Sequence, residues 1–139
     1  MYHCKINPIS GHNTISILKK GEAFLKSWLE GCPKNASKRP FIRLRWLNAN
    51  LFIDHVGPHW KKKSMKDKAA RYGVLPCVKE LLDKSKDETT LLEQTKDQIK
   101  WILEGLTPKG QHFQVIIAQF QDGKNAGEYF LNTAYLTNK

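Results

Sequence analysis

The stretch FIDHVGPHWKKKSMKDKAAR, Phe52 to Arg71, places two histidines, a tryptophan and six basic side chains within twenty residues. These are the residue types of acid–base chemistry carried out on a phosphate. Histidine titrates near neutrality and can take or give a proton at working pH. Lys61, Lys62, Lys63, Lys66, Lys68 and Arg71 supply a cationic field that holds a phosphate and stabilises charge developing on it. His55 and His59 stand four apart, the spacing of a zinc-binding helix pair, but Gly57 and Pro58 lie between them. A proline there breaks the helix that the spacing needs. Val56 also occupies the place where a metalloprotease helix carries its glutamate, so no metal site is read here. Trp60 either stacks on a base or anchors the segment in the core. The competing reading of the whole stretch is a solvated basic flank, since isolated histidines and lysine runs are mostly surface.

Several elements must position such a site. In NTISILKKGEAFLKSWLEG, residues 13–31, Ile15, Leu18, Phe24, Leu25, Trp28 and Leu29 recur near helical spacing, with Gly31 as a C-cap and Gly21 as an interior irregularity. GCPKNASKRP, residues 31–40, reads as a loop. FIRLRW, residues 41–46, alternates as a half-buried strand, and NANLFIDHV, residues 48–56, reads as a short helix. SMKD, residues 64–67, has capping-box spacing and predicts a helix through Tyr72, ended by Gly73. LPCVKELLDK restarts a helix with Pro76 in its first turn. The polar run SKDETTLLEQTKDQ, residues 85–98, reads as loop or frayed helix end. IKWILEGL, QHFQVIIAQF and EYFLNTAYL follow as strands, separated by the turn signals TPKG and QDGKNAG. The middle strand is apolar on both faces (Phe113, Val115, Ile117 against Ile116, Ala118, Phe120), as a central strand should be. The expected fold is α+β: N-terminal helices packed on a C-terminal antiparallel β-meander of three or more strands.

The 139 residues carry 23 Lys and Arg against 13 Asp and Glu, a formal charge of +10, which favours a polyanionic partner, nucleic acid first. The length is that of a single domain, 1–139, with 1–40 an N-terminal helix and loop and 41–139 the core. Cys4, Cys32 and Cys77 form no CxxC pair and read as reduced structural thiols, consistent with work in the cytoplasm. No apolar run is long enough to span a bilayer, and MYHCKINPISGHN has no signal-peptide core. His3, His12 and His112 have no supporting context and are read as incidental.

A histidine-bearing basic region, then ARYGVLPCVKELL, then the meander WILEGLTPKGQHFQVIIAQFQDGKNAGEYFLNTAYL resembles the barnase–EndoU–colicin–RelE class of metal-independent ribonucleases. The likeness is to its phage- and toxin-associated branches and spans roughly residues 41–137. It implies a small helix set on an antiparallel sheet, with the active site on the sheet's open face. His59 or His55 would be the acid/base, Arg71 and Lys63 would bind phosphate, and Thr133 and Tyr135, two apart on one strand face, would hydrogen-bond the scissile phosphate or its neighbours. The bland alternative for this last pair is an edge-strand threonine and a packed tyrosine. No cofactor is implied. The substrate would be RNA, tRNA being the natural suspicion, cut by 2′-hydroxyl attack to leave a 2′,3′-cyclic phosphate. An acidic immunity protein or antitoxin would be the neutralising partner. Two readings compete with this one: a non-catalytic basic nucleic-acid-binding module in which Trp60 or Tyr129 stacks on bases, and a protein adaptor with incidental charge.

Overall fold

The computed structural model describes residues 1–30, 63–85, 89–124, 126–127 and 129–137. The expected loop at 31–40, strand at 41–46 and helix at 48–56 lie outside the described residues, as do Gly31, His55, His59, Trp60, Lys61 and Lys62. The fold is mixed α+β, with helices ahead of a mostly antiparallel sheet. A two-residue strand β1 (Tyr2–His3) precedes helices α1 (Thr14–Glu30), α2 (Met65–Gly73) and α3 (Leu75–Lys84). Strands β2 (Thr90–Gln94), β3 (Gln98–Leu106), β4 (His112–Phe120) and β5 (Tyr129–Leu136) follow. The sheet order is β1-β3-β4-β5, with β2 also paired to β3. Parallel β1 lies beside Gly105 and Leu106, and antiparallel β2 beside Ile99 to Ile102, so the two share one edge of β3.

Each helix begins where its sequence says it should. Asn13 Oδ1 accepts the Ser16 N–H at 2.9 Å and caps α1. Ser64 is the N-cap of α2, its Oγ accepting the Asp67 N–H at 3.1 Å. α3 opens directly after Val74 with Pro76 in its first turn, where a missing N–H removes no helical bond. It buries Cys77, Val78, Leu81 and Leu82 against Leu103, Phe113, Val115, Ile117 and Leu131 of the sheet. A second cluster, Leu18, Ala69, Tyr72 and Leu75, joins α1 to α2. Gly21 belongs to that joint: a Cβ there would lie 2.5 Å from Tyr72 Cβ, so its lack of a side chain sets the approach of the two helices. Ile15, expected to face inward, is 52% exposed, and Ile17 packs against the cluster in its place.

The N-terminal segment is laced to this body by backbone bonds. Cys4 N–H donates to Leu106 O at 2.9 Å and Ile9 N–H to Gly73 O at 2.8 Å, while the Glu80 carboxylate accepts the N–H groups of Lys5 and Ile6. Cys4 and Cys77 are free, buried thiols. Cys4 Sγ lies 3.5 Å from Cys77 O, and its thiol is pushed well above the ordinary range by hydrogen bonding to Cys77 and by burial.

The run 85–98 corrects the loop expectation. Its Thr90–Gln94 part is strand β2, exposed along its whole length and folded back on β3 through a turn in which Thr95 Oγ1 accepts the Gln98 N–H at 3.1 Å. Its polarity reflects an exposed strand rather than missing structure, because a strand whose residues are all exposed has no apolar alternation to show. The β3–β4 turn has Gly110 at φ +86°, and the β4–β5 connection has Gly123 at +78° and Gly127 at +83°, conformations that glycine adopts without strain.

Candidate functional site

Register places the site. Paired residues in a sheet share a face, and β4 meets β5 as Ile117↔Leu131 followed by Ile116↔Thr133, leaving Asn132 as an extra residue. Simple alternation would put Thr133 on the same face as Leu131. The bulge reverses this: Leu131, Ala134 and Leu136 turn to the α3 side, while Thr133 and Tyr135 share the second face with Ile116 and Gln114. The far end of that face is apolar, with Ala118 and Phe130 fully buried and Phe120 against them. Its near end is polar: Glu104, Gln114 and Tyr135 are direct cross-strand partners across β3, β4 and β5.

Arg71 reaches this polar end from α2. Its Nη1 donates to Thr133 Oγ1 at 2.7 Å, its Nε donates to Asp67 Oδ1 at 3.1 Å, and its guanidinium carbon lies 5.5 Å from the Tyr135 ring centre. Asp67 thus serves α2 twice, its N–H in the Ser64 cap and its carboxylate one turn on at Arg71. Nη2 has no bonding partner among the described residues. Thr133 Oγ1 receives from Arg71, so its own proton is left for another acceptor. A guanidinium held on three sides, with a hydroxyl donor beside it, is an arrangement that can take an oxyanion with little rearrangement.

From Tyr135 a hydrogen-bonded row crosses the sheet. Tyr135 O–H donates to Gln114 Oε1 at 2.8 Å, and Gln114 Nε2 donates to Glu104 Oε1 at 3.1 Å. His112 Nε2 lies 3.1 Å from the same carboxylate oxygen at an angle that makes no hydrogen bond, and its Nδ1 meets Thr137 Oγ1. His112 is only 3% exposed.

Of the residues singled out from sequence, the fold therefore brings together Arg71, Thr133 and Tyr135. Lys63 joins at the rim, 3.8 Å from Asp67 Oδ2, a partly exposed pair that adds little stability. Lys66 lies elsewhere on α2: it lines a cavity of about 280 Å³ with Ile9, Thr14, Ala70, Gln111 and Leu136. Lys68 is half-buried on α2. Sequence reasoning missed Glu104, Gln114 and His112. The signal for Gln114 was there, a polar residue inside the apolar run FQVII, and polar groups in a central strand are held for a reason. His112, read as incidental, is buried against Glu104.

Among the described residues no group of three or more His, Cys, Asp and Glu could hold a metal ion, and no helix is long and apolar enough to cross a membrane. No protein-family model, curated protein or solved structure matches the chain.

Proposed function

We propose that the protein is a metal-independent endoribonuclease of the toxin or phage-associated type, cutting RNA, with tRNA the first candidate. The 2′-hydroxyl attacks the neighbouring phosphorus, the bond to O5′ breaks, and a 2′,3′-cyclic phosphate remains. The observation that carries the reading is the meeting of Arg71 with Thr133 and Tyr135. Arg71 stands 62 residues from Thr133 in sequence, yet their side chains are 2.7 Å apart and leave Nη2 and a hydroxyl proton for a ligand. Two donors fixed before substrate arrives are what a strained, doubly charged phosphorane needs. The +10 charge favours the same class of partner. His59 or His55, outside the described residues, would be the acid/base. Activity on RNA would place the work in the cytoplasm, and an acidic immunity protein or antitoxin would be the neutralising partner.

A second reading, a basic RNA-binding module without catalysis, is favoured by one observation: no histidine among the described residues hydrogen-bonds to Arg71 or Thr133. Incubation with total RNA and tRNA in excess EDTA separates the two. Cleavage to cyclic-phosphate ends, lost in Arg71→Ala and in either His55→Ala or His59→Ala, supports the nuclease. Salt-sensitive binding without cleavage supports the module. Neither cleavage nor salt-sensitive binding sinks both.

A further inference from the structure

The direction of the hydrogen bonds in the Glu104–Gln114–Tyr135 row carries information about the ligand. An ionised carboxylate only accepts, so the Gln114 amide must turn its NH2 group toward Glu104 Oε1, at 3.1 Å. That leaves the Gln114 carbonyl facing Tyr135, which donates its phenolic proton to it at 2.8 Å. Having given that proton inward, the Tyr135 oxygen presents only lone pairs to anything else. Beside it, Arg71 Nη2 and the Thr133 hydroxyl are both donors. The site thus offers two donors next to one acceptor, and its complement is an anion with a hydroxyl next to it.

We infer that in the bound ground state, before the base takes its proton, the ribose 2′-hydroxyl of a ribonucleotide whose phosphate lies on Arg71 and Thr133 donates to the Tyr135 oxygen, and that Glu104, acting through Gln114, is the positioning residue that holds Tyr135 in this sense. The inference rests on the phosphate-site reading above. A 3′-phosphate and the 2′-hydroxyl sit on adjacent ribose carbons, a spacing suited to a guanidinium stacked on the ring whose oxygen does the accepting. DNA offers the phosphate without the hydroxyl, so the row gives this site a means of telling the two apart. Gln114, Thr133 and Tyr135 are each only partly buried, which leaves the row within reach of a ligand.

The test uses nucleoside 3′-monophosphates, which bear the phosphate beside the 2′-position but contain no bond to cleave. Calorimetry compares ribo, 2′-deoxy and 2′-O-methyl forms, each with all four bases, on the wild-type chain. One neutral hydrogen bond predicts a ribo preference of roughly 3- to 10-fold over both other forms. Tyr135→Phe keeps the ring under Arg71 and should bring the ratio of ribo to 2′-deoxy affinity to about one. Glu104→Gln lets the amide row run in either sense and should also lower the ratio, which a merely structural carboxylate would not do. Arg71-dependent binding without a ribo preference, or a preference that survives Tyr135→Phe or Glu104→Gln, overturns the inference and leaves the phosphate site standing. Failure of every form to bind in an Arg71-dependent way overturns the phosphate site, and the inference with it.

Discussion

Replacing Gly21 by alanine sets two rules against each other. Glycine inside a helix is worth about 1 kcal/mol less than alanine, so propensity alone makes Gly21→Ala stabilising. The structure makes it destabilising. The new Cβ would stand 2.5 Å from Tyr72 Cβ, 3.0 Å from its Cγ and 3.1 Å from its Cδ2. A Cβ on a helix cannot rotate away, and Tyr72 is itself anchored in the Leu18–Ala69–Leu75 cluster. The joint must therefore open by roughly an ångström, and overpacking of this kind costs about 1–3 kcal/mol. Against the propensity gain, the net loss is about 0–2 kcal/mol, or up to about 7 °C in Tm for a chain of this size. Urea unfolding should show a lower midpoint at unchanged slope. α2 also carries Arg71, so shifting it should stretch the 2.7 Å bond to Thr133 and weaken the proposed RNA binding in parallel. A raised midpoint would refute the reasoning and mean that Gly21 does not set the α1–α2 spacing.

Three further outcomes are expected. Gly105→Ala should cost about 1–3 kcal/mol, because the added Cβ would meet Phe113 Cζ at 2.5 Å in the best-packed part of the core; a neutral midpoint in thermal unfolding would count against that packing. Burial pushes the Glu80 carboxyl up, but hydrogen bonds from Lys5 N–H, Tyr2 and Ile6 N–H and the charge of Lys84 outweigh it and leave the group below the usual glutamate value of 4.5. Its stabilisation is full above that value and is lost as pH falls through the lowered one, so acid titration of Glu80→Gln should show a shallower loss of stability below about pH 4.5 than the wild type, and parallel curves would refute the clamp. Asp67→Asn removes the carboxylate that holds Arg71 Nε but keeps the backbone N–H that caps to Ser64; the proposed RNA binding should change by severalfold at nearly unchanged Tm, and an unaltered affinity would show that Thr133 and Tyr135 orient Arg71 unaided.

The sequence by itself determined what depends on neighbours along the chain. Ser64 and Asp67 announced the start of α2, Pro76 and the Val78–Leu81–Leu82 spacing announced α3, and the glycine-bearing turns announced three strands. Capping, turn geometry and alternation act over a few residues, so they can be read locally. Arg71, Thr133 and Tyr135 were legible as residue types suited to phosphate and as a resemblance, but not as a contact. What brings them together is the register between β4 and β5. The single extra residue at Asn132 turns Thr133 and Tyr135 away from the α3 core, and no pattern in FLNTAY marks it, because a bulge exists only relative to the strand opposite. The same holds for Gly21, which looks like a flaw in α1 until Tyr72 is packed against it. It holds too for β2, which becomes a strand because β3 has an edge to offer, and for His112, whose burial against Glu104 follows from pairing across the β3–β4 turn. Pairing and packing join residues far apart in the chain, and only the folded molecule puts them side by side.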